Sequence, residues 1–373
     1  MERPTEVLLV GHDASDTGAP GMALRWSQWA AGSGSVDLAV WLQRGGPLQH
    51  RFEGVGPTRV GGRWSERAAP LIRSHAPLPA LARAGESFTR PRHQLAGHPI
   101  VVANTVAAWT AAASVRRRSR LVVWIHELDH VCERILTRPE RTRLLGETDH
   151  LIATGDRVAA MLRDRWQVPP SMVTVVDSSI DAPLPDRSPP SGHHDVIAVG
   201  SLTARKGPDA FVAVVSELRT LHPTLAAAWI GGPADGSVAR LVRHDIEAAD
   251  LGGHLDLVGE VPDVRAWLPP DGILLHTARE DPAPVAVLEA ASEAIAVVTW
   301  DTGGAADLLR QAGLDDLVAP AGDALGLVER VHGLLADPAG RRAAGSALQA
   351  AAAWRTTERL APVVHAAIVG ATP

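Results

Sequence analysis

Lysine is almost missing from this chain: Lys206 stands alone against 35 arginines. Tyrosine does not occur, and three phenylalanines leave the bulk of aromatic packing to eleven tryptophans. The single cysteine, Cys132, excludes an internal disulfide and suits a reducing compartment. No uninterrupted apolar run is long enough to span a bilayer. Met1 leads almost at once into the strand-like Val7–Val10, with no basic n-region or signal-type apolar stretch, so a cytoplasmic protein is expected. A Gly-x-Ser-x-Gly elbow and a Walker-type Gly-Lys-Ser/Thr are both lacking, which removes the commonest hydrolase and P-loop readings.

What is present is a regular alternation. Short apolar runs at Val7–Val10, Val36–Leu42, Ile100–Ala103, Leu121–Ile125, Leu151–Ala153 and Val173–Val176 are separated by helical patterns. A second series follows at Val196–Val199, Ala226–Ile230, Leu255–Val258, Ile273–His276 and Ala296–Thr299. Continuously apolar strands between helices indicate parallel sheets covered on both faces. A Pro/Ser-rich stretch, residues 181–192, divides the series. The reading is α/β: two Rossmann-like, doubly wound domains, 1–187 and 188–355, facing a central cleft. A closing helix, 356–373, is expected to pack back on the first domain. Residues 1–187 carry 23 arginines against 19 acids, whereas 188–373 carry 13 basic and 23 acidic residues. The basic excess gathers at Arg59, Arg63, Arg67, Arg73, Arg83, Arg90 and Arg92 and again at Arg116, Arg117, Arg118 and Arg120. That pattern suits a solvated face, or a surface for anionic lipid or a phosphorylated acceptor.

Lys206 falls where strand-like Asp195–Val199 turns through Gly200-Ser201-Leu202-Thr203-Ala204-Arg205-Lys206-Gly207 into a helix, Pro208–Leu221. An ammonium is a compact point charge and a guanidinium a broad fork, so a tight pocket for one phosphate oxygen favours lysine. Farther on, Asp281-Pro282-Ala283-Pro284-Val285-Ala286 precedes an apolar helix that carries Glu289, eight positions after Asp281. The backbone N–H groups of Ala283, Val285 and Ala286 would lie at a helix N-terminus and receive phosphate or sugar oxygens. Glu289, set among Val287, Leu288, Ala290 and Ala291, reads as a buried carboxylate that needs partners, for which vicinal ribose hydroxyls are suited. The plain structural alternative is Asp281 as an N-cap and Glu289 on a solvated face.

Asp281 and Glu289 together resemble the acidic-x7-Glu signature of the retaining glycosyltransferases of family 4, whose fold is called GT-B. The resemblance runs from about residue 6 to about residue 335. It implies a donor that is a UDP- or GDP-linked sugar, no further cofactor, and an acceptor that is a glycan, a lipid-linked or a small-molecule hydroxyl. Lys206 matches the diphosphate-binding lysine, with Gly200 and Ser201 in the phosphate loop and Arg205 as second cation. Asp281 and the stretch Ala283, Pro284, Val285 and Ala286 match the loop that holds the donor sugar, and Glu289 the ribose carboxylate. Gly303 and Gly304 match a later Gly-Gly loop, and Val261 a stretch beside the base. In the first half, Asp16 and Gly18 fall in a glycine-containing first loop, Asn104 and Thr105 on the acceptor side, and His126 against the far side of the sugar. No nucleic acid partner is implied, and a peripheral membrane contact through the arginines is. Departures from the pattern are Ser201 for arginine, Ala283 for phenylalanine, and Ala294 and Ala296 for glycine and proline. They leave a non-catalytic donor-binding member as an alternative.

His126-Glu127-Leu128-Asp129-His130 is a literal His-Glu-x-x-His, which on one helix would present two zinc ligands and a base. Glu147 and Asp149 are its candidate third ligands. Against this zinc hydrolase reading, the motif abuts the strand Leu121–Ile125. Asp-x-Asp is missing, which argues against a diphosphate bridged by metal, so Lys206, Arg205 and helix N-termini are left to supply positive charge.

Overall fold

The computed structural model describes residues 4–61, 97–116, 118–181, 194–232 and 236–370. The chain divides into two compact units, one of residues up to Asp177 together with those from Thr357 onward, the other Ser178–Thr356. Each is a parallel sheet with helices on both faces.

The first sheet contains β1 (Thr5–Gly11), β2 (Val36–Leu42), β3 (Thr58–Val60), β4 (Ile100–Asn104), β5 (Arg120–Ile125), β6 (His150–Thr154) and β7 (Val173–Val176), in the order β3-β2-β1-β4-β5-β6-β7. The centres of its inner strands are apolar because both faces are buried: Val7 and Leu9 pack in one hydrophobic cluster, Leu8 and Val10 in the opposite one. Tryptophan fills the volume that the missing phenylalanine and tyrosine leave, with Trp26, Trp109 and Trp124 fully buried. The helix Thr357–Val369 belongs to this unit and contributes Leu360, Val364 and Ile368 to the cluster around Val7 and Trp26. Arg120 donates to the carbonyls of Ala367 and Ile368 at its C-terminal end, where a cation complements the helix dipole.

The second sheet contains β8 (Val196–Val199), β9 (Ala227–Ile230), β10 (Leu255–Gly259), β11 (Ile273–His276), β12 (Ala296–Trp300) and β13 (Val318–Ala319), in the order β10-β9-β8-β11-β12-β13. Here Ala198 and Leu275 face one cluster, Ile197 and Leu274 the other. In both sheets the strand order reverses beside the first strand, between β1 and β4 and between β8 and β11. The loops that leave these strand pairs at their carboxyl ends flank a topological switch point, where ligands of such sheets bind.

The apolar runs read from the sequence are all strands. Two more, β3 and β13, were not readable, because runs of three and two residues carry no periodic signal. Among the arginines of the first half, Arg116 pairs with Asp149 at 2.9 Å and Arg120 is spent on the closing helix, so these two stabilise the fold rather than face a partner. Residues 62–96, Arg117 and residues 182–193, which include most of that arginine cluster and most of the interdomain linker, lie outside the described residues.

Candidate functional site

The second switch point carries buried charge. After β8 the chain makes a short turn, Ala204–Lys206, and enters the helix Pro208–Leu221; after β11 it runs through Thr277–Pro284 into the helix Val285–Ser292. The two loops are laced together. Arg279 N donates to the Arg205 carbonyl at 2.8 Å, Thr277 Oγ1 to the Gly207 carbonyl at 2.9 Å, and Arg279 spans the Ala204 carbonyl and Asp209. Within this frame the Lys206 ammonium donates to Asp281 Oδ2. The two side chains are 15% and 10% exposed, so this is an interior ion pair. Gly200 makes room for it, since a Cβ there would lie 3.2–3.4 Å from the Lys206 methylene carbons. Trp229 Nε1 holds the Gly200 carbonyl at 2.8 Å and fixes the turn from below.

Asp281 has two further neighbours. His276, the last residue of β11 and 5% exposed, places Nε2 3.4 Å from Asp281 Oδ2, and Arg205 Nη1 lies 4.0 Å from Oδ1. Burial alone would raise the Asp281 pKa; the charge of Lys206 above all, then His276 and Arg205, override it and hold the carboxyl far below the usual carboxylate range. The backbone of Asp281 pairs with Gly303, and its carbonyl accepts from Gly304 N at 3.0 Å. A Cβ on Gly303 would fall 1.9 Å from that carbonyl, so the Gly-Gly pair lets one loop lie directly on the other.

Several expectations change here. Asp281 is not an N-cap: Pro284 holds that position, and no side chain caps the helix Val285–Ser292, whose first turn contains Val285 and Ala286. Glu289 is half-buried, not buried, because the helix turns Val287, Leu288, Ala290 and Ala291 inward and carries residue 289 to its flank. Arg205 directs Nη1 to the Glu280 carbonyl at 2.6 Å, so its guanidinium is partly committed to the loop. Ser201 is half-buried beside Gly200, and Val261 lies half-buried just beyond β10. Two residues were passed over in the sequence. His276 gave no signal beyond ending an apolar strand. Glu280 has a buried Oε1 with no hydrogen-bond partner, an acceptor left open in the same loop.

In the first unit the loop after β1 pairs Asp13 with Arg44 at 3.1 Å, while the ends of β4, β5 and β6 carry a neutral network. Asn104, at the end of β4, accepts from His126 Nε2 at 2.8 Å and donates Nδ2 to the Ala19 carbonyl at 3.0 Å. His126 Nδ1 lies 3.0 Å from Thr154 Oγ1, which also receives Trp124 Nε1 at 3.0 Å. Each group has one role: His126 Nε2–H donates, Nδ1 accepts the threonine proton, and the imidazole stays neutral. Burial, with His12 nearby, lowers its pKa to about 3. His126 was expected against the sugar, but both its ring nitrogens are engaged inside the domain. Thr105 holds a left-handed φ of 85° as the helix Val106–Val115 begins, and Glu127 Oε2 accepts from Val106 N and His126 N. Asp16 and Gly18 are exposed at the start of the helix Gly18–Ser33.

This geometry also breaks the zinc motif. Leu128 is extended, the helix Asp129–Ile135 begins only after it, and His126 and Glu127 precede the helix that carries His130. Glu147 pairs with Arg143 and Asp149 with Arg116, and among the described residues no three metal-binding side chains form a group.

Set against known proteins, the second unit carries the family match. Residues 185–350 match the family of glycosyl transferases group 1. A lipopolysaccharide core biosynthesis mannosyltransferase, LpcC of Rhizobium leguminosarum bv. viciae, is 30% identical over 210 residues, which cover 52% of this chain and 57% of that protein. The glycogen synthase of Mycobacterium tuberculosis is 27% identical over 234 residues, 60% of this chain and 55% of that enzyme. The matched stretches thus span little more than half the length of these curated relatives. In three dimensions the likeness covers both units. Anabaena Alr3699/HepE, solved in complex with UDP-glucose, superposes with a TM-score of 0.75 at 14% identity over 98% of this chain and 99% of that one. WaaG, a glycosyltransferase involved in lipopolysaccharide biosynthesis, gives 0.73 at 16% over 98% and 100%. The fold is GT-B, with the group 1 glycosyltransferase match lying on the unit that holds the Lys206–Asp281 pair.

Proposed function

We propose that the protein transfers a sugar from a UDP- or GDP-linked donor to an acceptor hydroxyl, with retention of anomeric configuration and no further cofactor. The observation that carries this reading is the Lys206 ammonium, held at the switch point beside an uncapped helix N-terminus. As the glycosidic bond breaks, negative charge grows on the departing diphosphate. Lys206 and the first amides of the helix Val285–Ser292 are fixed in advance where that charge appears, and such preorganised electrostatics carries much of enzymatic rate enhancement. Asp281 and the open Oε1 of Glu280 are the acceptors for donor-sugar hydroxyls, and Glu289 for the ribose. The acceptor substrate, a glycan, lipid-linked or small-molecule hydroxyl, is assigned to the first unit, whose neutral Asn104, Thr105 and His12 suit uncharged hydroxyls. A cytoplasmic location with peripheral contact to an anionic membrane through the first-half arginines completes the proposal.

Screening nucleotide sugars for thermal stabilisation and slow donor hydrolysis tests it, with the anomeric configuration of the product read by proton NMR. Stabilisation by one donor, with a retained product, is expected. An inverted product removes the retaining mechanism, and indifference to every nucleotide sugar removes the donor site. Stabilisation without hydrolysis or transfer to any acceptor would favour a non-catalytic donor-binding protein. One feature favours that second reading: Lys206 is already neutralised by Asp281.

A further inference from the structure

Both ring nitrogens of His276 lie within reach of a partner that can accept a proton. Its Nε2 faces Asp281 Oδ2 at 3.4 Å and its Nδ1 faces Thr299 Oγ1 at 3.2 Å. The Thr299 hydroxyl is itself within reach of the carbonyls of His276, at 3.2 Å, and Trp300, at 3.1 Å. A neutral ring has one N–H. If Nε2–H donates to the carboxylate, the threonine proton must be given either to Nδ1 or to a backbone carbonyl, and one contact is lost. A ring with two N–H groups donates to Asp281 and Thr299 together and frees the hydroxyl for a carbonyl.

The charged groups facing the ring are few. Asp281 comes from the loop that follows its own strand, Lys206 and Arg205 come from the loop after β8, and β12 presents the neutral Thr299. With Lys206 on Asp281 the carboxylate is already compensated, and burial, aided by Lys206 and Arg205, keeps the imidazole neutral against the pull of Asp281. A diphosphate that attracts the Lys206 ammonium removes this compensation. Asp281 then keeps only Arg205, 4.0 Å from Oδ1 and partly committed to the Glu280 carbonyl, and a buried carboxylate so weakly compensated is disfavoured. The nearest group able to become a cation in its place is His276.

Building on the donor-site reading above, we infer that His276 is a positioning residue: when Lys206 turns to the donor diphosphate, His276 takes one proton from solvent and holds the Asp281 carboxylate in place. The step is a single proton transfer: an N–H bond forms at Nδ1 of the neutral imidazole, a buffer acid or hydronium loses that proton, and Asp281 stays ionised throughout. Donor binding is therefore coupled to proton uptake at a residue that the donor itself need not touch.

The test uses the full chain with UDP-glucose and GDP-mannose as probes, because their diphosphates are diesters with no protonation step of their own near neutrality. Calorimetric titration at pH 7.5 in buffers of different ionisation enthalpy counts the protons taken up per donor bound. An uptake approaching one is expected in the wild type. Affinity should accordingly strengthen by up to about tenfold per unit of falling pH where uptake is complete. His276→Asn should bind donor without uptake, and its affinity should lose that pH dependence. The wild type also answers directly: at fixed pH, the imidazole resonance of His276 should move to its imidazolium position on saturation with donor. Donor binding with no proton uptake, or uptake unchanged in His276→Asn, overturns the role of His276 and leaves the glycosyltransferase reading standing. If neither probe nor any other nucleotide sugar binds the wild type, the donor-site reading itself falls, and this inference with it.

Discussion

The two units share a topology and differ in what they place at the point where the strand order reverses. At the carboxyl ends of β4, β5 and β6, starting beside the switch point at Asn104, the side chains form a neutral chain, Asn104–His126–Thr154–Trp124, in which each hydrogen has one donor and one acceptor. Between β8 and β11 the second unit holds Lys206, Asp281 and His276, charged or able to become so. A saturated neutral network has nothing to release, so it fixes backbone and loop positions. A compensated ion pair exchanges partners as soon as a stronger anion arrives. One architecture therefore supplies a rigid platform in the first unit and a responsive charge site in the second.

This contrast can be broken by substitution. The largest effect is expected from Asp281→Asn, which leaves Lys206 buried without its counter-charge. Removing one partner of a buried pair costs about 3–5 kcal/mol, to be read by urea denaturation. A loss below 1 kcal/mol would show the pair to be more solvated than its burial implies.

Lys206→Ala should lower kcat/KM by roughly a hundredfold or more, as expected for a charge contact worth about 3 kcal/mol in the transition state. Lys206→Arg should recover little, because the fork must fit against Gly200 where the slender lysine stem now lies. Full activity in Lys206→Arg would refute the point-charge argument.

Acid sharpens the comparison. The native pKa of His126, about 3, lies below its ordinary value of 6.5, so in that interval the unfolded chain binds a proton that the native state excludes. Stability at neutral pH is thus intact and declines as pH falls below about 6.5, by up to roughly 1.4 kcal/mol per unit from this one group. His126→Gln should flatten the decline in a series of denaturant midpoints between pH 7 and pH 4. A parallel slope in both proteins would transfer the effect to other groups.

The smallest effect concerns a departure from the family pattern. Ala294 follows the helix Val285–Ser292 with a left-handed φ of 55°, the C-terminal position usually given to glycine. Ala294→Gly should relieve about 1 kcal/mol of backbone strain and raise the melting temperature by a few degrees with kcat unchanged. A change in kcat would make this turn part of the site.

Much of this was legible in the residues. Continuous apolar runs such as Val7–Val10 and Ile273–His276 announced strands buried on both faces, and they form the sheets. The runs of β3 and β13 were too short to stand out, and the side-chain direction of Glu289 depended on how its helix rolled onto the sheet. For His126-Glu127-Leu128-Asp129-His130 the residues showed the strand ending at Ile125 but not that the next helix starts only at Asp129, which tertiary structure supplied.

Local order along the chain determined the two α/β series, the loop chemistry around Lys206 and Asp281, and the glycines that admit them, because strand period, turn residues and charge are properties of neighbouring residues. Only tertiary structure decided who meets whom. Lys206 and Asp281 are 75 positions apart, and β9 and β10 come between β8 and β11 in the chain but not in the sheet. The crossover that makes β8 and β11 adjacent brings an ammonium, a carboxylate and an imidazole into one dry place. There the loss of water makes each a condition for the others, and no reading of single loops could have found that coupling.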